Sequence, residues 1–119
     1  AVEIISDCIA AAERTNPSLR SFITVAADHA LAQAAKADTR RKAGRVLGPL
    51  DGIPYAAKDM FETRGIRTTG GSRVLENNVP ERSAAAICML EAAGAALIGK
   101  TNLPEFAFGA TGENRSAGT

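Results

Sequence analysis

The chain has 119 residues and a net charge of +1, from 14 Lys and Arg against 13 Asp and Glu. That length allows one domain at most, and the near-neutral balance gives no electrostatic reason for nucleic acid or an anionic membrane as partner. Hydrophobic residues at 45% argue against disorder, and with no Trp, four Phe and one Tyr the core falls to Ala, Leu, Ile and Val.

Ile5, Cys8, Ile9 and Ala12 recur at helical spacing, so the chain opens on a helix, which Asn16-Pro17 is expected to end. Phe22–Val25 is a short β-favouring run. A second helix spans Ala26 to Ala43, with Ala27, Leu31, Ala34 and Ala35 on one side. Asp28 near its start, Arg40, Arg41 and Lys42 at its end and Gly44 just beyond suit the helix dipole and a glycine cap. Gly48-Pro49-Leu50-Asp51-Gly52-Ile53-Pro54 reads as a constrained loop delivering the apolar run Tyr55-Ala56-Ala57 into Lys58-Asp59. Residues 64–72, with Gly65, Gly70 and Gly71, form another loop.

A third helix is expected from Pro80 to Ala93, with Ala86, Met89, Leu90 and Ala93 facing inward and Gly94 as cap. Ala95–Ile98 is a buried strand by composition, Asn102-Leu103-Pro104 starts a turn, and Gly109 to Thr119 is a loop. Alternation of helix and strand makes an α/β fold the default. Cys8 and Cys88 sit on apolar helical patterns and read as buried free thiols, a disulfide being the alternative, without metal-ligand spacing. A reducing, cytoplasmic compartment fits them. Residues 1–14 hold Glu3, Asp7 and Glu13 and not the basic start and apolar run of a signal peptide. No stretch approaches the roughly 18 apolar residues of a membrane span. Both ends read as cut, Ala1 opening inside a helical pattern and Ser116–Thr119 stopping inside a loop.

Gly94-Ala95-Ala96-Leu97-Ile98-Gly99-Lys100-Thr101 satisfies the phosphate-loop pattern G-x-x-x-x-G-K-[ST]. A phosphate loop needs a strand before its first glycine and a helix starting at its lysine. Here a helical pattern comes first, an apolar strand fills the loop, and Pro104 interrupts the next segment, so a nucleotide-binding module is the weakest alternative. A Ser-His-Asp triad has only His29 to draw on, at a helix N-terminus that disfavours imidazolium. Lys58 is the remaining candidate base, although a lysine after a short strand, taken alone, is more often a surface or ion-paired residue. It ends a short apolar run, and burial of its stem would disfavour the charged ammonium and let a neutral amine accept a proton.

Gly48 to Pro54 followed by Lys58-Asp59 resembles the G-P-L-x-G-I-P-x-x-x-K-D segment of the amidase-signature family. The likeness continues through Gly65, Thr69, Gly71-Ser72, Ala93-Gly94-Ala95, Gly99 to Phe106, Gly112-Glu113-Asn114 and Gly118. The resemblance implies α/β/α layers around a mixed central sheet, with residues 1–119 as the N-terminal part of a single amidase-signature domain. It also implies amide-bond hydrolysis by a Ser-cisSer-Lys triad in which the neutral base is Lys58. The two serines would lie beyond Thr119, since Ser72, Ser83 and Ser116 match neither, and the chain alone would be inactive. Phe106, Ala107, Phe108 and Gly109 would border the acyl pocket, core packing of the two Phe being the alternative. Asp59 would satisfy backbone N–H groups. It would not lower the lysine's pKa, because an anion raises it. No cofactor or metal is implied. The partner is a small-molecule amide, with no direct nucleic-acid or membrane contact and room for a homodimer. The rival within the family is the glutamine-hydrolysing A subunit of a tRNA-dependent amidotransferase, which works with a partner subunit.

Overall fold

Three strands form one mixed sheet in the computed structural model, which describes residues 1–118; Thr119, the last residue of the expected final loop, lies outside the described residues. The chain runs α1 (Val2–Leu19), β1 (Phe22–Val25), α2 (Ala27–Lys42), β2 (Pro54–Lys58), α3 (Ala85–Ala92) and β3 (Ala96–Thr101), with short 3-10 turns at Arg73–Leu75 and Glu105–Ala107. Strand order is β1-β3-β2, with β3 antiparallel to β1 and parallel to β2.

Neighbouring residues of β3 point to opposite faces, and each face has its own core. Ala96 joins Ile5 and Ile9 of α1 and Ala30 and Ala34 of α2, while Leu97 joins Ala57 of β2, Ile66 and Ile87 of α3. The layering is therefore α/β/α, as the period-two pleat requires when both faces of a strand are apolar. The small side chains of α2 let it lie close to the sheet: Ala30, Ala34 and Ala37 are at most 1% exposed. That buried face differs from the expected one, since Ala35 is exposed and Leu31 only half-buried.

Helix α1 does not stop at Asn16-Pro17 but runs to Leu19, with Arg20 in the left-handed region (φ 47) as its cap. A tertiary bond outweighs the local preference. The Asn16 amide donates to Phe22 O (3.0 Å) and Phe22 N–H donates back to Asn16 Oδ1 (2.8 Å), fixing the turn into β1. Pro17 falls in the last turn, where one missing N–H donor disturbs little of the ladder.

Helix α3 is shorter than expected at its start. Residues 80–84 are engaged with the preceding loop instead, through Gly65 N–H to Pro80 O (3.0 Å), Ala84 N–H to Glu62 O (2.8 Å) and Arg64 N–H to Ser83 Oγ (2.9 Å). Its inward face is centred on Ile87, and Met89 is 73% exposed. Both cysteines are free, but Cys8 is half-buried and Cys88 exposed, not the pair of buried thiols expected. No helix among the described residues is long and apolar enough to cross a membrane.

The phosphate-loop pattern folds as helix cap plus strand. Gly94 follows α3 with φ +84, and a Cβ there would meet Asp51 Oδ1 at 2.3 Å. Gly99 lies in β3 against Thr24 O, 2.5 Å from where a Cβ would stand. Both glycines answer to packing, and Lys100 is fully buried. No cradle of converging N–H groups exists at 94–101, so the nucleotide-binding reading is wrong.

Candidate active site

Strands β2 and β3 run parallel and end side by side, with Lys58 opposite Thr101. Open α/β sheets collect ligands outside the carboxyl ends of parallel strands, and here two loop systems meet there. After β2 the chain turns at once: Phe61 N–H donates to Lys58 O (3.0 Å) and Asp59 N–H to Thr101 O (3.0 Å). Gly70 N–H then returns to Asp59 O at 2.9 Å, and Phe106 N–H of the second loop donates to Gly70 O at 2.7 Å. The Asn114 amide closes the group, donating to Gly71 O (2.8 Å) and Leu103 O (2.6 Å).

Lys58 is exposed, which differs from the buried stem expected of it. The reason is pleat and position. Ala57 takes the inward face, Lys58 shares the opposite, exposed side with Ala56, and β2 is an edge strand of the sheet among the described residues. Asp59, by contrast, is fully buried, and its Oδ2 accepts from Thr69 N–H (2.9 Å) and Thr69 Oγ1–H (2.5 Å). It does satisfy a backbone N–H group, on the loop opposite and not beside Lys58.

Lys100 is the buried lysine. Its Nζ donates to Phe61 O and Thr68 Oγ1, both at 2.7 Å, and lies 3.4 Å from Asp59 Oδ1. Burial pushes this amine below its ordinary value, with the Asp59 carboxylate acting in the opposite direction. A register shift puts it there. Tyr55 pairs with Leu97 but Ala56 pairs with Gly99, so β3 carries one extra residue, and Lys100 pairs with Ala57 on the inward face. Without that irregularity, Lys100 would share the face of Ala96 and Ile98. The residue pattern presents this lysine only within a phosphate-loop match and the family likeness, with no role of its own. The available signal was a charged residue closing a strand of otherwise small and apolar side chains.

Phe106 and Phe108 are 55% and 95% exposed, so core packing does not account for them. Phe106 and Ala107 both adopt left-handed backbone (φ 50 and 60), and a Cβ on Gly70 would touch the Phe106 ring at 3.2 Å. Phe106 thus joins the loop that backs the Lys58 turn, lining a depression of about 210 Å³ with Met60, Thr68 and Gly70. A Cβ on Gly109 would meet Pro104 Cβ at 3.3 Å. Lys58 does not line that depression.

Ser72 acts as a turn residue. It caps the Arg73–Leu75 turn through Val74 N–H (3.2 Å) and donates to Glu105 Oε1 (2.5 Å). His29 lies 4.0 Å from Glu91 on α3. No group of three or more His, Cys, Asp or Glu among the described residues is arranged to hold a metal ion.

The family model described as Amidase matches residues 3–119. The chain belongs to the amidase family. It is 50% identical over 114 residues to the A subunit of glutamyl-tRNA(Gln) amidotransferase from Chloroflexus aurantiacus, covering 96% of this chain and 23% of that protein. Among solved structures it resembles native peptide amidase from Stenotrophomonas maltophilia (40% identity, TM-score 0.76), over 88% of this chain and 21% of that one. It also resembles a chain of a vestigial protein complex tied to the origins of an s-triazine catabolic enzyme (35% identity, TM-score 0.93), covering 98% of this chain and 26% of that one. The chain spans about a quarter of the length of the curated relatives it matches.

Proposed function

We propose that the protein containing this chain cleaves the C–N bond of a linear amide through a Ser-cisSer-Lys triad, with Lys58 as its base. Residues 1–119 are then the N-terminal portion of one amidase-signature domain, and both serines belong to polypeptide beyond Thr119. The observation that carries this reading is family membership over residues 3–119 combined with Lys58 at the open carboxyl end of a parallel strand pair.

In the reaction a serine oxygen adds to the amide carbonyl, and its proton passes through the bridging serine to the Lys58 amine. Collapse of the tetrahedral intermediate breaks the C–N bond, and the leaving nitrogen takes that proton. Water then repeats the sequence on the acyl ester and releases the acid. Such a base must be neutral near pH 7, which for lysine requires desolvation. Lys58 is exposed among the described residues, so the remaining polypeptide supplies its cover. Phe106, Ala107, Phe108 and Gly109 border the acyl pocket in this reading, and the chemistry draws on no cofactor or metal. The setting is cytoplasmic, with no direct contact to nucleic acid or membrane. The test is turnover of a panel of linear amides by the full-length protein: Lys58→Ala should lose activity with its circular dichroism unchanged, and near-normal turnover would end the proposal.

One observation favours a second reading. A relative at 50% identity is the A subunit of a glutamyl-tRNA(Gln) amidotransferase. If this protein works likewise, a companion subunit co-purifies with it and glutamine hydrolysis depends on that companion. Full amidase activity from the protein alone would favour the free-standing hydrolase.

A further inference from the structure

The residues beneath Lys58 are bonded in a way that its own role does not require. Phe61 N–H closes a turn onto Lys58 O at 3.0 Å. The carbonyl of the same Phe61 accepts from Lys100 Nζ at 2.7 Å. The Lys100 ammonium therefore holds, from inside the sheet, the turn whose first residue is Lys58. Its second bond, to Thr68 Oγ1 at 2.7 Å, ties the facing loop to the same point. Asp59 Oδ1 stands 3.4 Å away as counter-charge, while its Oδ2 binds Thr69. Lys100 and Asp59 side chains are both 0% exposed.

We infer that Lys100 is a positioning residue for Lys58: its buried amine, reached by the register shift in β3, locks the Lys58–Phe61 turn against the Thr68–Gly71 loop and so fixes where the catalytic amine stands. The inference rests on the triad reading above. A buried ammonium must place its N–H donors on acceptors, and the one it takes from the Lys58 turn is Phe61 O. Here the bond runs to the one carbonyl whose residue already closes on Lys58. The same network continues through Gly70 to Phe106, so the base and the pocket border share one anchor. Displacing a catalytic group by about 1 Å costs on the order of 100-fold in rate, whereas binding is little affected when the pocket survives.

The test uses the full-length protein and a fluorophosphonate, with intact mass reporting covalent labelling as the serine oxygen displaces fluoride from phosphorus. Lys100→Met should lower the maximal labelling rate about 100-fold while the probe's half-saturating concentration stays within about threefold. The double variant Lys100→Met/Asp59→Asn removes both buried charges and should recover thermal stability without recovering that rate. Thr68→Val, which keeps both charges, should retain the wild-type circular dichroism at some cost in thermal stability and label about tenfold more slowly, through a smaller displacement of the same amine. Overturning results are a wild-type labelling rate in Thr68→Val together with either Lys100 variant, or a rate that returns in step with stability in the double variant. Unlabelled wild type, or normal labelling of Lys58→Ala, would instead strike the triad reading itself.

Discussion

Asp51 shows why one residue of the Gly/Pro-rich loop matters to the fold. Its carboxylate accepts from Arg40 Nε at 3.1 Å and from Arg40 Nη2, and Leu47 N–H adds a third bond at 3.1 Å. The Arg40 bonds chiefly, then the Leu47 N–H, hold its pKa below the ordinary 3.8, against the upward pull of burial. A carboxyl whose folded value is depressed contributes stability above its unfolded value and loses it as pH falls through the folded one. Unfolding midpoints should therefore decline below about pH 4, and Asp51→Asn should flatten that decline. A decline of unchanged steepness in the variant would refute the assignment. Gly94 meets the same side chain. A methyl group there combines a left-handed backbone with overlap onto Asp51, so Gly94→Ala should cost about 3 kcal/mol in urea unfolding. An unchanged midpoint would mean that the loop yields freely.

At the scale of elements, the sequence was legible where pattern and packing agree. Strand β1, the apolar run of β2 and the span of α2, with Asp28 first and Arg40–Lys42 last, lie where composition puts them. Boundaries moved where tertiary bonds intervened: the Asn16 amide carried α1 past Pro17, and the pairing of residues 80–84 with the loop at 62–65 shortened α3. The register shift of β3 has no period in the sequence, so strict alternation would turn Lys100 to the face of Ala96 and Ile98, and the one signal to the contrary is a charge closing an apolar strand. The strand at 96–101, following the helix cap at Gly94, leaves no phosphate loop. Because Lys100 is already bonded to Phe61 and Thr68, titration with ATP and magnesium should show no saturable binding, and a binding isotherm that Lys100→Met abolishes would reverse this conclusion.

On the scale of the whole molecule, the chain supplies a three-layered platform with apolar groups still facing outward. Met89, Val74, Val79 and Phe108 are each more than half exposed, on a chain about a quarter as long as its curated relatives. Family and fold class could be read from spaced motifs because the Gly, Pro and Lys-Asp positions occupy turns and strand ends that the backbone dictates. The environment of Lys58 could not be read, since desolvation is a property of everything packed around an amine. The chain of 119 residues taken alone should hydrolyse no amide, and measurable turnover from it would show that a nucleophile lies within it.

The most direct measurement is acyl-enzyme trapping by intact mass after rapid quench of the full-length protein with a p-nitrophenyl ester. Wild-type protein should gain one acyl group within the first turnover, and Lys58→Ala should gain none over the same interval while Lys58→Ala and wild type share one unfolding midpoint. Equal acylation of the two proteins would contradict the central claim that Lys58 is the base.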